Sequence, residues 1–267
     1  MKLQSFRRFL VEEGYAYNSV LAYTFAVRDF LDRFETLTPS HLSAYKNYLV
    51  DHFKPKTVNQ RVWALNKFLG WSGKPQLKIK AMRMADASFL DNVIGNEDYY
   101  YFKRMLRREK DKRWFFVVWT LAATGARVSE LVQFKVEHVL AGHIDIYSKG
   151  GRVRRIFIPT KLREEMLRWQ DGTPGSSYLF LNVNGKRITP RGIAIRIKEY
   201  AVKYGIAPAV VHPHAFRHLF AKNFLGRHND LPLLADLLGH ESITTTRIYL
   251  RRSTQEQRQL IDRIVDW

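Results

Sequence analysis

Four short segments of the chain combine cationic side chains with histidine or tyrosine. They are TGARVSEL around Arg127, YSKGGRVRR around Lys149, HPHAFRH around His214 and Arg217, and LLGHESITTTRIY from His240 to Tyr249. An arginine can donate two parallel hydrogen bonds to phosphate oxygens, a fork that lysine does not give. Histidine and tyrosine add a proton-transfer group and a nucleophile, so the set suits phosphoryl chemistry.

Each of these residues taken alone has a plainer interpretation. Arg127 could be a structural salt-bridge partner, His214 a capping or core histidine, and Tyr249 a half-buried aromatic residue. Lys149 could be a solvated lysine at the tip of a turn. What favours chemistry is that all four segments occur together, in this order.

In this order, the segments resemble the tyrosine recombinase (phage integrase) family. The most specific feature is LLGH followed nine residues later by tyrosine; His-x-x-Arg at 214–217 lies upstream of it, and ATGARVSEL supplies the first arginine. The resemblance is clear over roughly 92–250 and weaker in the N-terminal helices, and all six expected polar positions are occupied. The resemblance therefore implies an intact catalytic set.

The resemblance assigns Tyr249 as the nucleophile and His214 as its base. A free phenol has a pKa near 10, so Tyr249 needs a base or nearby cations to react at neutral pH. Lys149 is the candidate acid for the leaving 5′ oxygen, preferred over Arg152, Arg154 and Arg155 because it stands first in the Lys-Gly-Gly-Arg turn.

The remaining residues of the set would stabilise charge on the phosphate. Arg127 and Arg217 would clamp its oxygens, and His240 would donate a further hydrogen bond. The sequence has no evident carboxylate cluster for two magnesium ions. The family implies no metal and no nucleotide cofactor, since the phosphotyrosine bond conserves the phosphodiester energy. His212 and His218, which flank the set, are predicted to be structural.

The composition indicates a polyanionic partner. The chain has 267 residues, a formal net charge of +19 and a hydrophobic fraction of 46%, and nucleic acid is the usual partner of so basic a protein. The absence of cysteine excludes disulfides and cysteine-bound metals. The longest apolar run, near 114–123, is too short to cross a membrane, and the N-terminus lacks the core of a signal peptide. We therefore expect a cytoplasmic, nucleoid-associated protein.

The N-terminal part reads as a helical domain over 1–72, which the resemblance makes a DNA core-binding domain. Helical spacing predicts a first helix that stops before Gly14, a second over 18–34 capped by Asn18 or Ser19, a third opened by Thr38-Pro39, and a fourth over 56–71. Residues 73–90, with Gly73, Pro75 and scattered cations, read as a linker that either follows a DNA backbone or is a plain tether.

The catalytic domain is predicted over 91–267, and the fold class is α+β: mainly helical with a small β-hairpin. A buried helix is predicted over 113–124, and the hairpin pairs 143–147 with 153–158 and carries Lys149 at its tip. Helical patterns follow at 161–169, 191–204, 214–224, 231–238 and 243–249, and a tail over 256–267 closes the chain.

Both parts are basic, with 14 Lys+Arg against 7 Asp+Glu in 1–90 and 30 against 18 in 91–267, which favours a clamp around double-stranded DNA. The leading hypothesis is a site-specific recombinase that acts as a homotetramer on paired inverted-repeat core sites of two duplexes. It would proceed through a 3′-phosphotyrosyl intermediate and a Holliday junction, in a mobile element or in chromosome-dimer resolution. A type IB-like topoisomerase and a non-cleaving DNA-binding regulator are the alternatives.

Overall fold

The computed structural model describes residues 2–83, 93–147, 153–240, 245–246, 248–250, 258, 261–263 and 265. The chain divides into two compact units, 1–86 and 87–267. Lys149, Arg152 and most of the predicted tail lie outside the described residues. Within the described part, no helix is both long and apolar enough to cross a bilayer.

The first unit is a bundle of four helices: α1 (Lys2–Glu12), α2 (Tyr17–Leu31), α3 (Pro39–His52) and α4 (Pro55–Trp71). The predicted start of α3 is confirmed, because Thr38 accepts a hydrogen bond from the His41 amide at 3.2 Å and Pro39 opens the helix. The predicted cap of α2 is wrong: the helix begins at Tyr17, and Ala16 precedes it without a side-chain cap.

One helical face of each segment supplies the core of this unit. The buried apolar residues are Phe6, Leu10, Val20, Val27, Phe30, Leu42, Tyr45, Leu49, Val58, Val62, Leu65, Phe68 and Leu69. At the edge of this core a polar contact joins three helices, since the Tyr45 hydroxyl and the Arg61 guanidinium both donate to the partly exposed Asp29 carboxylate at 2.7 Å. Burial of the apolar faces is the main stabilising term of such a bundle.

Part of the segment predicted as a linker packs on α4. Asn66 exchanges two hydrogen bonds with the backbone of Ile79, at 2.8 and 2.9 Å. Asn59 does the same with Met82, at 2.9 and 2.7 Å. Each asparagine side chain therefore satisfies an N–H and a C=O of an extended backbone, and residues 79–82 are held to the first unit.

The second unit is built around helix α6 (Arg113–Thr124), whose bounds match the prediction. α6 is apolar on all sides, because eight consecutive residues from Trp114 to Leu121 are buried. It is surrounded by α5 (Asn96–Arg108), α9 (Thr160–Trp169), α10 (Pro190–Lys203) and α11 (Pro213–Arg227). Gly125 ends α6 at φ +64, and a Cβ there would stand 2.6 Å from Phe220, so glycine is required.

The shorter elements of the second unit lie around the candidate site. After α6 come α7 (Val128–Leu131), α8 (Val136–Ala141), and the strands β1 (His143–Tyr147) and β2 (Val153–Phe157). The strands pair antiparallel, with His143 opposite Phe157 and Tyr147 opposite Val153, as predicted. Helix α12 (Leu231–Leu238) follows α11, and a 3-10 turn spans Ile248–Leu250.

Candidate active site

Arg127 stands at the N-terminus of α7, directly after the turn that ends α6. Its backbone N–H donates to Glu130 at 2.7 Å and its guanidinium donates to the same carboxylate at 2.8 Å. A third donor reaches the carbonyl of Gly239 at 3.3 Å. The side chain remains 43% exposed, so it is held in place while part of its hydrogen-bonding edge faces solvent.

Arg217, on α11, is the deeply buried arginine of the site. Only 1% of it is exposed. Its two terminal nitrogens donate to the carbonyls of Gly125, at 2.8 Å, and Leu238, at 2.7 Å. Those carbonyls lie at the C-terminal ends of α6 and α12, where the helix dipole favours a cation. Burial is the largest cause that lowers the pKa of Arg217, followed by the charge of Arg127.

His240 connects Arg217 to Thr246, which precedes the 3-10 turn. Arg217 lies 3.0 Å from Nε2 of the ring, and Thr246 Oγ1 lies 2.8 Å from Nδ1. A guanidinium has no acceptor, so Nε2 accepts and the neutral ring carries its proton on Nδ1. Burial lowers the pKa of His240 to about 4, with help from the charge of Arg217. Donation from Nε2 to a phosphate would therefore require a proton on Nε2, through a change of tautomer or protonation of the ring, together with movement of Arg217 away from it.

Tyr249 lies in the 3-10 turn, buried among residues of α11 and α12. Its ring stacks on His240, with centroids 6.0 Å apart and planes at 14°. Burial raises the pKa of the Tyr249 phenol, while the charge of Arg217, a side-chain hydrogen bond from Arg217 and the charge of Arg127 oppose that rise. The hydroxyl is thus protonated and already directed to the arginine cluster.

The two histidines of the His-x-x-Arg-His segment occupy successive turns of α11. His214 is exposed near the start of the helix, and its ring lies 4.4 Å from that of His218. His218 in turn meets Tyr249 edge to face, at 5.1 Å. Burial lowers the pKa of His218 to about 4. His218, which the sequence analysis treated as structural, is therefore a direct neighbour of Tyr249. His212 caps the helix, accepting from the Ala215 amide at 3.1 Å.

Two charged residues of the site were assigned no role by the sequence analysis, which gave Glu130 only as part of ATGARVSEL and Arg154 only as an alternative to Lys149. Glu130 is buried and shared by Arg127 and Arg154, which donates to it at 3.1 and 3.3 Å. The three-residue step from Arg127 to Glu130 is the spacing of a capping box, which is a signal that could have found Glu130. Arg154 gives no comparable local signal, because its partners are distant in the sequence.

The site opens on a groove of about 740 Å³ between β2 and α12. Arg127, His240 and Thr245 line its inner end, and Val153, Phe157 and Leu233 line its apolar walls. Arg155, also on the groove, is paired with Asp145 at 2.7 Å. Within the described residues, no group of three His, Asp or Glu side chains is placed to hold a metal. The predicted acid, Lys149, stays a prediction.

The comparisons with known proteins identify the class. Residues 104–256 match the model of the phage integrase family. The chain therefore belongs to this family, that of the tyrosine recombinases, and it is a site-specific DNA recombinase.

Its relatives agree over different lengths of the chain. The tyrosine recombinase XerA of Pyrococcus furiosus is 29% identical over 274 residues, 98% of this chain and 93% of that protein. The tyrosine recombinase XerC of Ralstonia pickettii is 34% identical over 161 residues, 52% of this chain and 49% of that protein. The fold also matches the Tn1549 transposon integrase in complex with circular intermediate DNA, with a TM-score of 0.74, 18% identity and 99% of both chains covered.

Proposed function

We propose that this recombinase cuts and rejoins DNA through a covalent bond between Tyr249 and a 3′ phosphate. The observation that carries the proposal is the contact of the Tyr249 phenol with Arg217, inside a cluster that also holds Arg127 and His240. A phosphodiester placed against that cluster would bring its phosphorus to the phenol oxygen. Both arginines would then face the oxygens that gain charge in the transition state.

The proposed cleavage step forms one bond and breaks one. The Tyr249 oxygen attacks phosphorus while the bond from phosphorus to the 5′ oxygen breaks. The phenol proton passes to a base, for which His214 is the candidate, and the 5′ oxygen takes a proton from an acid, for which Lys149 is the candidate. In rejoining, the 5′ hydroxyl of the other strand attacks the phosphotyrosine and releases Tyr249. The phosphodiester energy is conserved throughout.

The protonation state of Tyr249 supports a mechanism in which the phenol is activated when the substrate is bound. Burial raises its pKa, so the phenol is protonated at neutral pH in the DNA-free protein. A phosphate that binds to Arg127 and Arg217 would bring negative charge and would itself disfavour a phenolate. A general base is therefore needed in addition to the two cations.

DNA is the partner that the charge and the relatives support. Both units carry an excess of Lys and Arg, and the Tn1549 integrase was solved with DNA. We further propose that four copies assemble on two duplexes with inverted-repeat core sites and exchange strands through a Holliday junction. The biological task we propose is that of a mobile element or of chromosome-dimer resolution.

The test begins with the binding site. The purified protein would select duplexes from a random library, and the selected site would be prepared with a nick that releases the 5′ fragment after cleavage. We expect a covalent protein–DNA band in denaturing gels, with and without excess EDTA. Tyr249→Phe should bind the same duplex and give no band. Tyr200→Phe, at another buried tyrosine of the second unit, is the matched control.

Two results would contradict the proposal. An adduct that persists in Tyr249→Phe would place the nucleophile at another residue. Cleavage that needs magnesium and leaves no covalent band would point to a metal-dependent nuclease. Relaxation of supercoiled DNA without any requirement for paired sites would instead favour the topoisomerase alternative.

A further inference from the structure

Arg154, on β2, is a buried cation without a role in the proposed chemistry. It is 8% exposed, and its Nε is buried without a hydrogen-bond partner. Its terminal nitrogens donate to both oxygens of Glu130 and to the carbonyl of Leu238. Burial is the main cause that lowers its pKa, to about 10. The fold therefore holds a guanidinium where burial disfavours its charged form.

The acceptors of Arg154 are the acceptors of the two phosphate-binding arginines. Glu130 is shared with Arg127, which donates to it from both backbone and side chain. The Leu238 carbonyl is shared with Arg217, which donates to it at 2.7 Å. Arg154 is therefore the residue that joins the Arg127 branch of the cluster to the Arg217 branch.

The charge of the cluster is set by the same contacts. Three guanidiniums (Arg127, Arg154 and Arg217) act on one another and share the carboxylate of Glu130. With one negative charge against three positive charges, the described cluster carries an excess of two. A phosphodiester carries one negative charge, and its pentavalent transition state carries about one more. The two excess positive charges of the cluster thus balance the charge of the transition state better than that of the bound phosphodiester. A site that stabilises the transition state more than the ground state accelerates the chemical step.

We propose that Arg154 is a positioning residue that holds Arg127 and Arg217 through their shared acceptors and gives the cluster its second excess charge. This inference rests on the proposed function. It predicts that Arg154 acts on cleavage and leaves binding of the DNA site nearly unchanged, because its own guanidinium is buried behind the two arginines that meet the phosphate.

The simpler alternative is a cross-link that only joins β2 to α12. Arg113 provides a matched control for it, since it is also an arginine with a buried unpaired Nε, an ion pair, to Asp111 at 2.7 Å, and a contact to a carbonyl, that of Leu181. Neither Asp111 nor Leu181 belongs to the cluster. Arg113→Met should therefore lower stability without a specific effect on cleavage.

The experiment measures single-turnover cleavage at saturating site DNA, the dissociation constant of the site, and urea unfolding. For Arg154→Met we expect cleavage to slow by about 10–100-fold, the scale for partners that orient reacting groups, with less than about a threefold change in the dissociation constant. Arg154→Lys should recover part of the rate, because it restores the charge without the fork. Arg113→Met should cleave at nearly the wild-type rate.

A double substitution separates charge from packing. Glu130→Gln combined with Arg154→Met restores the excess of two charges and leaves an amide oxygen for Arg127. We expect this variant to cleave faster than Arg154→Met alone. A rate for Arg154→Met equal to that of Arg113→Met, or a double variant slower than Arg154→Met, would overturn the inference.

Two further outcomes, a misfolded Arg154→Met variant and a wild-type protein that forms no adduct, can be told apart from a failure of the inference. If Arg154→Met does not fold, Arg154→Lys and the double variant, which both keep the excess of two charges, still give the comparison. A loss of about 100-fold or more in both would then overturn the charge argument. If the wild-type protein itself forms no adduct at Tyr249, the proposed function fails, whatever Arg154 does.

Discussion

At the scale of single residues, Arg127 and Arg217 differ in their hydrogen-bond partners and in their burial. Arg217 is enclosed by two carbonyls and His240, whereas Arg127 is partly exposed beside Glu130. In the proposed mechanism, each is a preorganised donor whose removal would leave a developing charge unopposed. Removal of the buried arginine, Arg217, also takes a donor from the Gly125 carbonyl, whereas the Leu238 carbonyl keeps its hydrogen bond from Arg154.

We predict that Arg127→Ala and Arg217→Ala each slow cleavage by about 10²–10³-fold. Binding of the site should weaken far less, because many Lys and Arg residues share the contacts to the DNA backbone. Arg217→Ala should in addition lower stability, since it empties a buried position. Single-turnover adduct formation and gel-shift titration give the two readouts. Parallel loss of binding and cleavage would make these arginines ordinary backbone contacts.

His218 predicts a pH dependence of stability. Its pKa falls from an ordinary value of 6.5 to about 4, through burial and then the charges of His214, His212, Arg217 and His240. The folded protein thus binds this proton more weakly than the unfolded chain. The contribution is fully present above pH 6.5 and is lost as the pH falls towards about 4.

The variant His218→Phe should therefore lose less stability than the wild type between about pH 7.5 and pH 5, as measured by urea unfolding. His228→Gln, at the exposed end of the same helix, is the control and should follow the wild type. An equal pH dependence in His218→Phe and the wild type would show that the protonation of His218 does not enter this range.

At the scale of elements, the C-terminus of α12 is where the site is assembled. The carbonyls of Leu238 and Gly239 receive hydrogen bonds from Arg154, Arg217 and Arg127. The helix dipole adds negative potential at this end. Gly239 stands there at φ +61, and a Cβ would lie 2.4 Å from Cδ of Arg154.

Gly239→Ala should therefore disturb both the C-terminus of α12 and the position of the Arg154 side chain. We expect a loss of stability of about 1–2 kcal/mol from the left-handed backbone, together with slower cleavage. Gly205→Ala is the matched control, since Gly205 has φ +70 and nothing within 4 Å of its Cβ position. It should lose similar stability and keep its cleavage rate. Equal cleavage in the two variants would contradict the role of this contact.

The sequence predicts elements well where one pattern dominates. The bounds of α6 and β1 were predictable because burial on all sides leaves a continuous apolar run, as in α6, and burial on one face leaves an alternation, as in β1. The start of α2 was predicted wrongly because polar residues that suit a cap lie inside the first turn. α7 and α8, of four and six residues, are too short for periodicity to detect.

The site was predictable in part for the same reason. Motif spacing identified Arg127, Arg217, His240 and Tyr249, and the structure brings these four side chains together. The ion pair of Glu130 with Arg154 spans 24 residues, and no local pattern reports a pairing that the fold creates. The contact of His218 with Tyr249 was likewise hidden, since it depends on how the 3-10 turn packs against α11.

At the scale of the whole molecule, the proposed assembly of four copies would need the tyrosine of one copy to be coupled to another copy. The sequence pattern predicts that Leu260, Ile261, Ile264 and Trp267 share one side of a helical tail. Leu260, Ile264 and Trp267 lie outside the described residues. Of the apolar tail residues that the structure describes, Ile261 is 57% exposed and Val265 is 38% exposed. Apolar side chains in such positions are stabilised when a partner surface covers them.

A tail that enters a neighbouring copy makes a heterologous contact, and such contacts close into a ring when the rotation allows. Because few residues separate the tail from Tyr249, the contact would tie each tyrosine to the next copy. We predict that deletion of 254–267 leaves a folded protein that binds one site. Cooperative binding to paired sites and recombination should be lost, as measured by gel-shift titration on one-site and two-site DNA and by a recombination assay.

The full-length variant Ile261→Asp is the control for the deletion. It keeps the length of the chain and should lose cooperativity in the same direction, because an aspartate at that position opposes burial of the apolar side. A truncated protein that still recombines would show that the tail does not couple the copies. A truncated protein that unfolds would show that the tail packs on its own unit, and Ile261→Asp would then lower the stability of the monomer as well.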